Sequence, residues 1–398
     1  MKRFLLITLL LISIVPCLNA QKKELAQART LIKSGKELDK AINMMDKLLR
    51  DSLNRRNMQV WQVRAEAIRA QYEQGNERLY LKQKQDTAEL FLLARKMFLA
   101  YQQADSIDAL PDRKGRVAPK YRRRNAEYLH PYRKNLFYGG NYFLKQERPQ
   151  EAYNMVQTYI ESYSHPLFEE YAKEPDRNIP TAAYVAVVAG HQLDNPQMSL
   201  KYAKEALQDT IRLENTLVYL SETYFQINDT THLVECLWRG FENLPTSEYF
   251  FTRLYDYYNG KHEADTAMMV VEKALAKDMK FMPALNAKSD LLLNLGENNK
   301  CVDVCNDIIA LEPKAANAYY NAGAAYVNMA IKLNEGHVDA ARRKQIRECY
   351  SKAMPYIEKY KELEPQLKSK WGPVLYDIYL KLNLGKKFEQ MERLLRSN

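Results

Sequence analysis

Four apolar residues, Leu217, Phe251, Leu285 and Tyr319, stand 34 positions apart. Each opens a stretch in which apolar or small residues return about three and seven positions later: Leu220 and Tyr224, Leu254 and Tyr258, Leu292, and Ala322 and Tyr326. A helix turns once in about 3.6 residues, so such positions share one face. A second column follows the first. Leu233 and Leu237, Ala267 and Val271, and Cys301 and Cys305 are pairs four apart whose first members are again 34 apart. Gly240, Ala274 and Ile308 fall at the next same-face position. Turn residues lie between the two columns at Asn228-Asp229, Asn259-Gly260 and Leu295-Gly296. Pro245 and Pro313 close the second helices, because proline lacks the amide donor and crowds the preceding turn. Two helices and two turns in 34 residues form a unit that buries its apolar face only against neighbours like itself.

On these residues the chain resembles the tetratricopeptide-repeat family, in an exported bacterial form. The nearest stretch to the family pattern is ANAYYNAGAAYVNMA, with Gly323 at the close-approach position and Tyr326 one turn on. Its second helix, CYSKAMPYIEKYKELEP, carries Ala353, Ile357, Tyr360 and the terminating Pro365, and the long NEGHVDAARRKQI between them predicts a protruding hairpin. A further unit is FMPALNAKSDLLLNLGENNKCVDVCNDIIALEP, in which Lys288 and Ser289 depart from the family's preferences. The resemblance covers about 181 to 365 and implies an all-α fold, a right-handed superhelical solenoid of antiparallel helical hairpins. Upstream the pattern loosens. Ala183, Ala186 and Gly190 fit one first helix, Gly140 and Phe143 another, and Ala41, Met45 and Leu48 mark a helix near the start.

The chain opens MKRFLLITLLLISIVPCLNA, with Lys2 and Arg3, then an apolar run, then Ala20. That order is a secretory leader, and the run is short for a membrane span. Cys17 raises lipid modification, but Pro16 stands where a small residue normally precedes a lipidated cysteine. The expected organisation is a leader over 1–20, irregular helical hairpins over 21–110, a basic connector over 111–126, and a repeat array with capping helices over 127–398. An exported chain is expected in the periplasm, on the envelope or outside the cell.

Setting Lys2 and Arg3 apart from the 59 basic residues leaves an excess of eight over the 49 acidic ones. The stretch from Arg113 to Lys134 holds nine basic residues and one Glu, which accounts for all of it. The balanced remainder gives little support to a nucleic-acid-binding surface, and nucleic acid is expected to be an improbable partner. Cys236, Cys301, Cys305 and Cys349 do not make a disulfide framework. Cys301 and Cys305 emerge in nearly parallel directions one turn apart, and read as small buried apolar residues.

Local catalytic and cofactor motifs are missing from the sequence. Gly139-Gly140 sits in a helical pattern, KHEAD lacks the second His of a zinc pair, and the six His are scattered. Glu169-Glu170 reads as helix-surface charge, and no cofactor or metal is expected. An enzyme whose site is assembled only by the fold is the alternative. The basic cluster Arg113, Lys114, Arg116, Lys120, Arg122, Arg123 and Arg124, with Tyr121 and Tyr128, either solvates a connector or docks an anionic lipid, glycan or acidic partner.

The family resemblance implies that first-helix residues line an inner groove. It places Tyr184, Glu222, Asp256, Asn286, Asp290, Tyr320 and Asn328 there. Some members clamp a partner's terminal carboxylates with a first-helix Lys. Here that position holds Tyr184, Val218, Thr252, Asn286 and Tyr320, so a neutral-to-acidic groove with tyrosine contacts is expected instead. Tyrosine offers rigid apolar area with a hydroxyl, which suits a protein or peptide partner.

Overall fold

The structure is a computed structural model that describes residues 21–396. The expected leader over 1–20, with Cys17, lies outside the described residues. All regular structure among them is helical, in TPR-like hairpins, so the expected all-α helical-repeat fold is the one observed. The chain divides after Thr230 into two compact units.

The first unit holds helices α1 (21–34), α2 (Leu38–Arg50), α3 (Met58–Tyr80), α4 (Thr87–Asp108), α5 (Arg122–Leu129), α6 (Arg133–Lys145), α7 (Pro149–Ser164), α8 (Ile179–Gln192), α9 (Pro196–Leu200), α10 (Ala203–Ala206) and α11 (Leu213–Gln226). Met45, Ile68, Tyr72, Phe98, Tyr101 and Phe143 are fully buried between them. Each such side chain stabilises the fold by roughly 1.5–3 kcal/mol relative to exposure. The overlong link after α7 contains a short 3-10 helix, Pro166–Tyr171.

The second unit holds α12 (Thr230–Asn243), α13 (Glu248–Gly260), α14 (Ala264–Lys277), α15 (Met282–Asn294), α16 (Asn298–Leu311), α17 (Ala316–Leu333), α18 (Ala340–Leu363), α19 (Lys368–Lys381) and α20 (Gly385–Arg396). Its core follows the expected columns, with Leu285, Ala267 and Ala353 all buried. Cys301 and Cys305 are fully buried among Ile308, Ala318, Ala322 and Ala325. Ile357, Tyr360, Trp371, Leu375 and Ile378 form the next layer. α17 and α18 are the longest hairpin of this unit, as the long NEGHVDAARRKQI segment predicts.

The repeat is also written in the backbone. Asp194, Asn228, His262 and Gly296 follow first helices at intervals of 34 and share a left-handed φ of 52°, 58°, 61° and 73°. The amide of the residue after each returns to a carbonyl five residues back: Asn195 to Gly190, Asp229 to Tyr224, Glu263 to Tyr258 and Glu297 to Leu292, at 2.9–3.0 Å. The left-handed amide itself bonds to the carbonyl three residues back, as in Gly296 to Leu293 at 3.1 Å. This is the Schellman closure, which satisfies carbonyls orphaned at a helix end. Within the units it turns the chain back on itself, so α9 returns on α8, α14 on α13 and α16 on α15.

Candidate functional site

Within the second unit, α13 packs on α15, α15 on α17 and α17 on α19, while the second helices of successive hairpins approach each other less closely. First helices therefore share a face. Asp290 stands on that face of α15, and Asn321 on α17 reaches it from the next hairpin, its Nδ2 donating to Asp290 Oδ1 at 2.6 Å and to Ser289 Oγ at 3.0 Å. Ser289 in turn donates to the Asn286 carbonyl at 2.9 Å. Asn321 is buried, so the amide is fixed by its two partners.

Asp290 remains open to solvent. Even so, the protein surrounding it on most sides raises its carboxyl above the ordinary value, against the hydrogen bond from Asn321 and the attraction of Lys370. Across from it, burial pushes the Tyr255 hydroxyl of α13 up to about 12, with Asp290 and Asp256 adding to the effect. On the other side the Lys370 ammonium rests 4.3 Å from the Tyr320 ring centroid and 5.5 Å from that of Tyr360. The two rings are themselves 5.1 Å apart. The Tyr360 hydroxyl is buried without a hydrogen-bond partner. From α13 to α19 the first helices of four hairpins thus present a tyrosine, a carboxylate, an amide beside a second tyrosine, and an aromatic-held ammonium.

The seven expected groove residues divide between the units. Asp256, Asn286, Asp290, Tyr320 and Asn328 belong to the second, and Asp290 and Tyr320 flank Asn321 as described. Asn328 is exposed near the far end of α17 and Asp256 is exposed on α13. Tyr184 and Glu222 belong to the first unit. Tyr184 is half-buried with the Arg212 guanidinium 5.7 Å from its ring, and Glu222 lies 3.4 Å from His191 Nε2. Sequence reading passed over Asn321, Tyr255, Tyr360 and Lys370. Asn321 lies 31 rather than 34 residues after Asp290, one helical turn earlier on the next first helix.

Four members of the basic segment, Arg116, Arg122, Arg124 and Arg133, pair with carboxylates of the first unit. Arg122 makes a two-pronged pair with Asp105, both contacts at 2.8 Å, and the Asp105 side chain is only 1% exposed. Arg124 pairs with Glu66 at 3.2 Å and Arg116 with Asp112 at 2.8 Å. The Arg133 guanidinium lies 3.8 Å over the Tyr159 ring and bonds to Asp176 and Ser162. Arg122 to Arg124 form the first turn of α5, where unpaired amides disfavour cations, so Asp105 and Glu66 offset that cost. Arg113, Lys114, Lys120 and Arg123 remain exposed. The loop 109–121 is thereby pinned at its end, where the Tyr121 amide donates to Asp108 Oδ2 at 2.6 Å.

Among the described residues no group of three or more His, Cys, Asp or Glu is placed to hold a metal ion. No helix among them is long and apolar enough to cross a membrane.

No protein-family model matches the chain, and no curated protein matches it. Solved structures do resemble it. The C-terminal part of a TPR repeat-containing protein from Cytophaga hutchinsonii is 13% identical, with a TM-score of 0.43, over 64% of this chain and 92% of that one. The MamA protein is 19% identical, with a TM-score of 0.35, over 48% of this chain and 95% of that one. The human IFIT1 dimer with m7Gppp-AAAA is 14% identical, with a TM-score of 0.37, over 79% of this chain and 74% of that one. These likenesses supply no ligand for this chain, but they correct one expectation. Nucleic acid was expected to be an improbable partner from charge balance and export; a helical-repeat structure holding a capped nucleotide removes that exclusion. What the three matches share with this chain is the TPR-like helical repeat.

Proposed function

We propose that the chain is a noncatalytic binding scaffold that receives a protein or peptide segment on the first-helix face of its second unit, and that it acts in the cell envelope. The observation that carries this reading is Asp290: an exposed carboxylate on the first-helix face, bonded to the buried, doubly held amide of Asn321, with Tyr255 and Tyr320 on the neighbouring first helices. Such a carboxylate gains most from a ligand that brings a donor, an amide or a cation, and a peptide backbone or basic side chain brings both. The tyrosines add area at low entropic cost. The leader-like order of residues 1–20 supports the envelope assignment.

The test is a pull-down from envelope extract with the native chain, with Asp290→Ala plus Tyr320→Ala, and with Asp307→Ala on the exposed face of α16. Loss of a partner only in the first variant supports the face. Equal recovery by all three removes it.

A further inference from the structure

The hairpin of α3 and α4 ends in a tip that nothing among the described residues covers. Residues 76–84 are nine consecutive exposed positions, although 76–80 still belong to α3. A helical turn exposed all round stands clear of its neighbours. Three consecutive side chains at its end are nevertheless large and apolar or aromatic: Leu79 is 46% exposed, Tyr80 85% and Leu81 54%. Lys82 takes the left-handed conformation at φ 55°, and the Gln83 amide returns to the Arg78 carbonyl at 2.8 Å, so the tip is a formed Schellman turn. Arg78, Lys82 and Lys84 bracket the three apolar residues. Within residues 76–84 these three cations meet one acid, Glu77; Arg78 also borders a cleft with Glu37, Asp39 and Glu89, whereas Lys82 and Lys84 lie outside that cleft, and Asp86 is occupied in capping α4 through the amides of Ala88 and Glu89.

We propose that this tip docks on the surface of an anionic lipid bilayer, with Leu79, Tyr80 and Leu81 entering the boundary between headgroups and acyl chains. Leucines there bury apolar area, tyrosine sits at headgroup depth, and lysine and arginine meet anionic headgroups. The charge bracket fits a negative surface. The area argues against a second copy of the chain, since a stable protein interface buries about 1,200–2,000 Å² and a nine-residue tip falls far short. A bilayer needs no complementary pocket. This surface is independent of the first-helix face of the second unit.

The experiment is co-sedimentation of the purified chain with vesicles of phosphatidylglycerol and phosphatidylcholine in equal parts, and with phosphatidylcholine alone. The variants are Leu79→Ser plus Leu81→Ser, Lys82→Gln plus Lys84→Gln, and Leu53→Ser, an exposed leucine in the 3-10 turn that precedes α3. The substituted positions lie outside the buried core, and circular dichroism verifies that each variant keeps the native helical fold. The native chain and Leu53→Ser should bind the anionic vesicles alike. The lysine pair should weaken binding by about 25-fold, at about fivefold per charge, and the leucine pair should abolish it. Failure of the native chain to bind anionic vesicles, or equal binding by both tip variants, overturns the proposal. So does a native dimer in sedimentation equilibrium that Leu79→Ser plus Leu81→Ser dissolves with no vesicle binding.

Discussion

Gly190→Ala is the substitution that probes the hairpin packing most sharply. A Cβ on Gly190 would lie 2.2 Å from the amide nitrogen of Ser199 and 2.6 Å from its Cα. These are backbone atoms of α9, so relief requires α8 and α9 to part by about an ångström rather than a side chain to rotate. Parting them also strains Ser199 Oγ, which bonds to the Val187 carbonyl at 3.2 Å and to Thr223 Oγ1 at 3.1 Å. Overpacking of this kind costs about 1–3 kcal/mol and one buried hydrogen bond about 1 kcal/mol, while alanine returns about 1 kcal/mol of helix propensity. The net loss is about 3 kcal/mol. Gly323→Ala is the matched comparison. Its Cβ would lie 2.4 Å from Ile357 Cδ1, the movable end of a side chain, and its nearest backbone neighbour, the Ala353 oxygen, is 3.4 Å away. Rotation of Ile357 and the propensity gain should bring its cost to about 1 kcal/mol or less. Urea unfolding followed by far-ultraviolet circular dichroism gives both values. Gly190→Ala as stable as the native chain, or less damaging than Gly323→Ala, would refute the argument that backbone contact sets the cost.

Other predictions follow from the same coordinates. Burial raises the Asp176 carboxyl, but hydrogen bonds from Arg133 and Tyr159 outweigh it and hold the group below its ordinary value. Its stabilisation is therefore complete above about pH 4 and is lost as pH falls toward the folded value. Asp176→Asn leaves Arg133, with a side chain only 12% exposed, without its countercharge. It should cost about 3 kcal/mol at pH 7 and flatten the acid limb of a stability–pH curve, as measured by urea titration across pH 2.5–7. At the hairpin turns, nothing lies within 4 Å of a Cβ placed on Gly296, so Gly296→Ala should cost about 1 kcal/mol for conformation alone. His262→Gly, at the matching left-handed position, should gain a similar amount, and thermal melts of both variants check the pair.

The array was legible because its signal is local and repeated. Leu285, Ala267 and Ala353 are buried where their columns require. His262 is a case of the opposite kind: Asn228 and Gly296 announce their turns, but the turn signal at Asn259-Gly260 falls inside α13 and the left-handed residue is His262. Charge was less legible. Arg122, Arg124 and Arg133 sit in the most basic stretch of the chain, yet their carboxylate partners lie 17, 58 and 43 residues away. A run of like charge reveals nothing about which members the fold pairs internally. The candidate site was half legible for a similar reason. Asp290 and Tyr320 follow from first-helix register, but Asn321 meets Asp290 one turn out of that register. Lys370 follows the long α17–α18 hairpin, which displaces it from the period of 34.

The first-helix face around Asp290 is the proposed seat of the partner. A photo-crosslinking amino acid placed at Tyr320, and in a separate chain at Asp307 on α16, tests it directly in the cells that make the protein. Discrete adducts from position 320 that disappear when Asp290→Ala is added, with none from position 307, are the predicted result. Adducts from position 307 alone, or adducts at position 320 indifferent to Asp290→Ala, would contradict it.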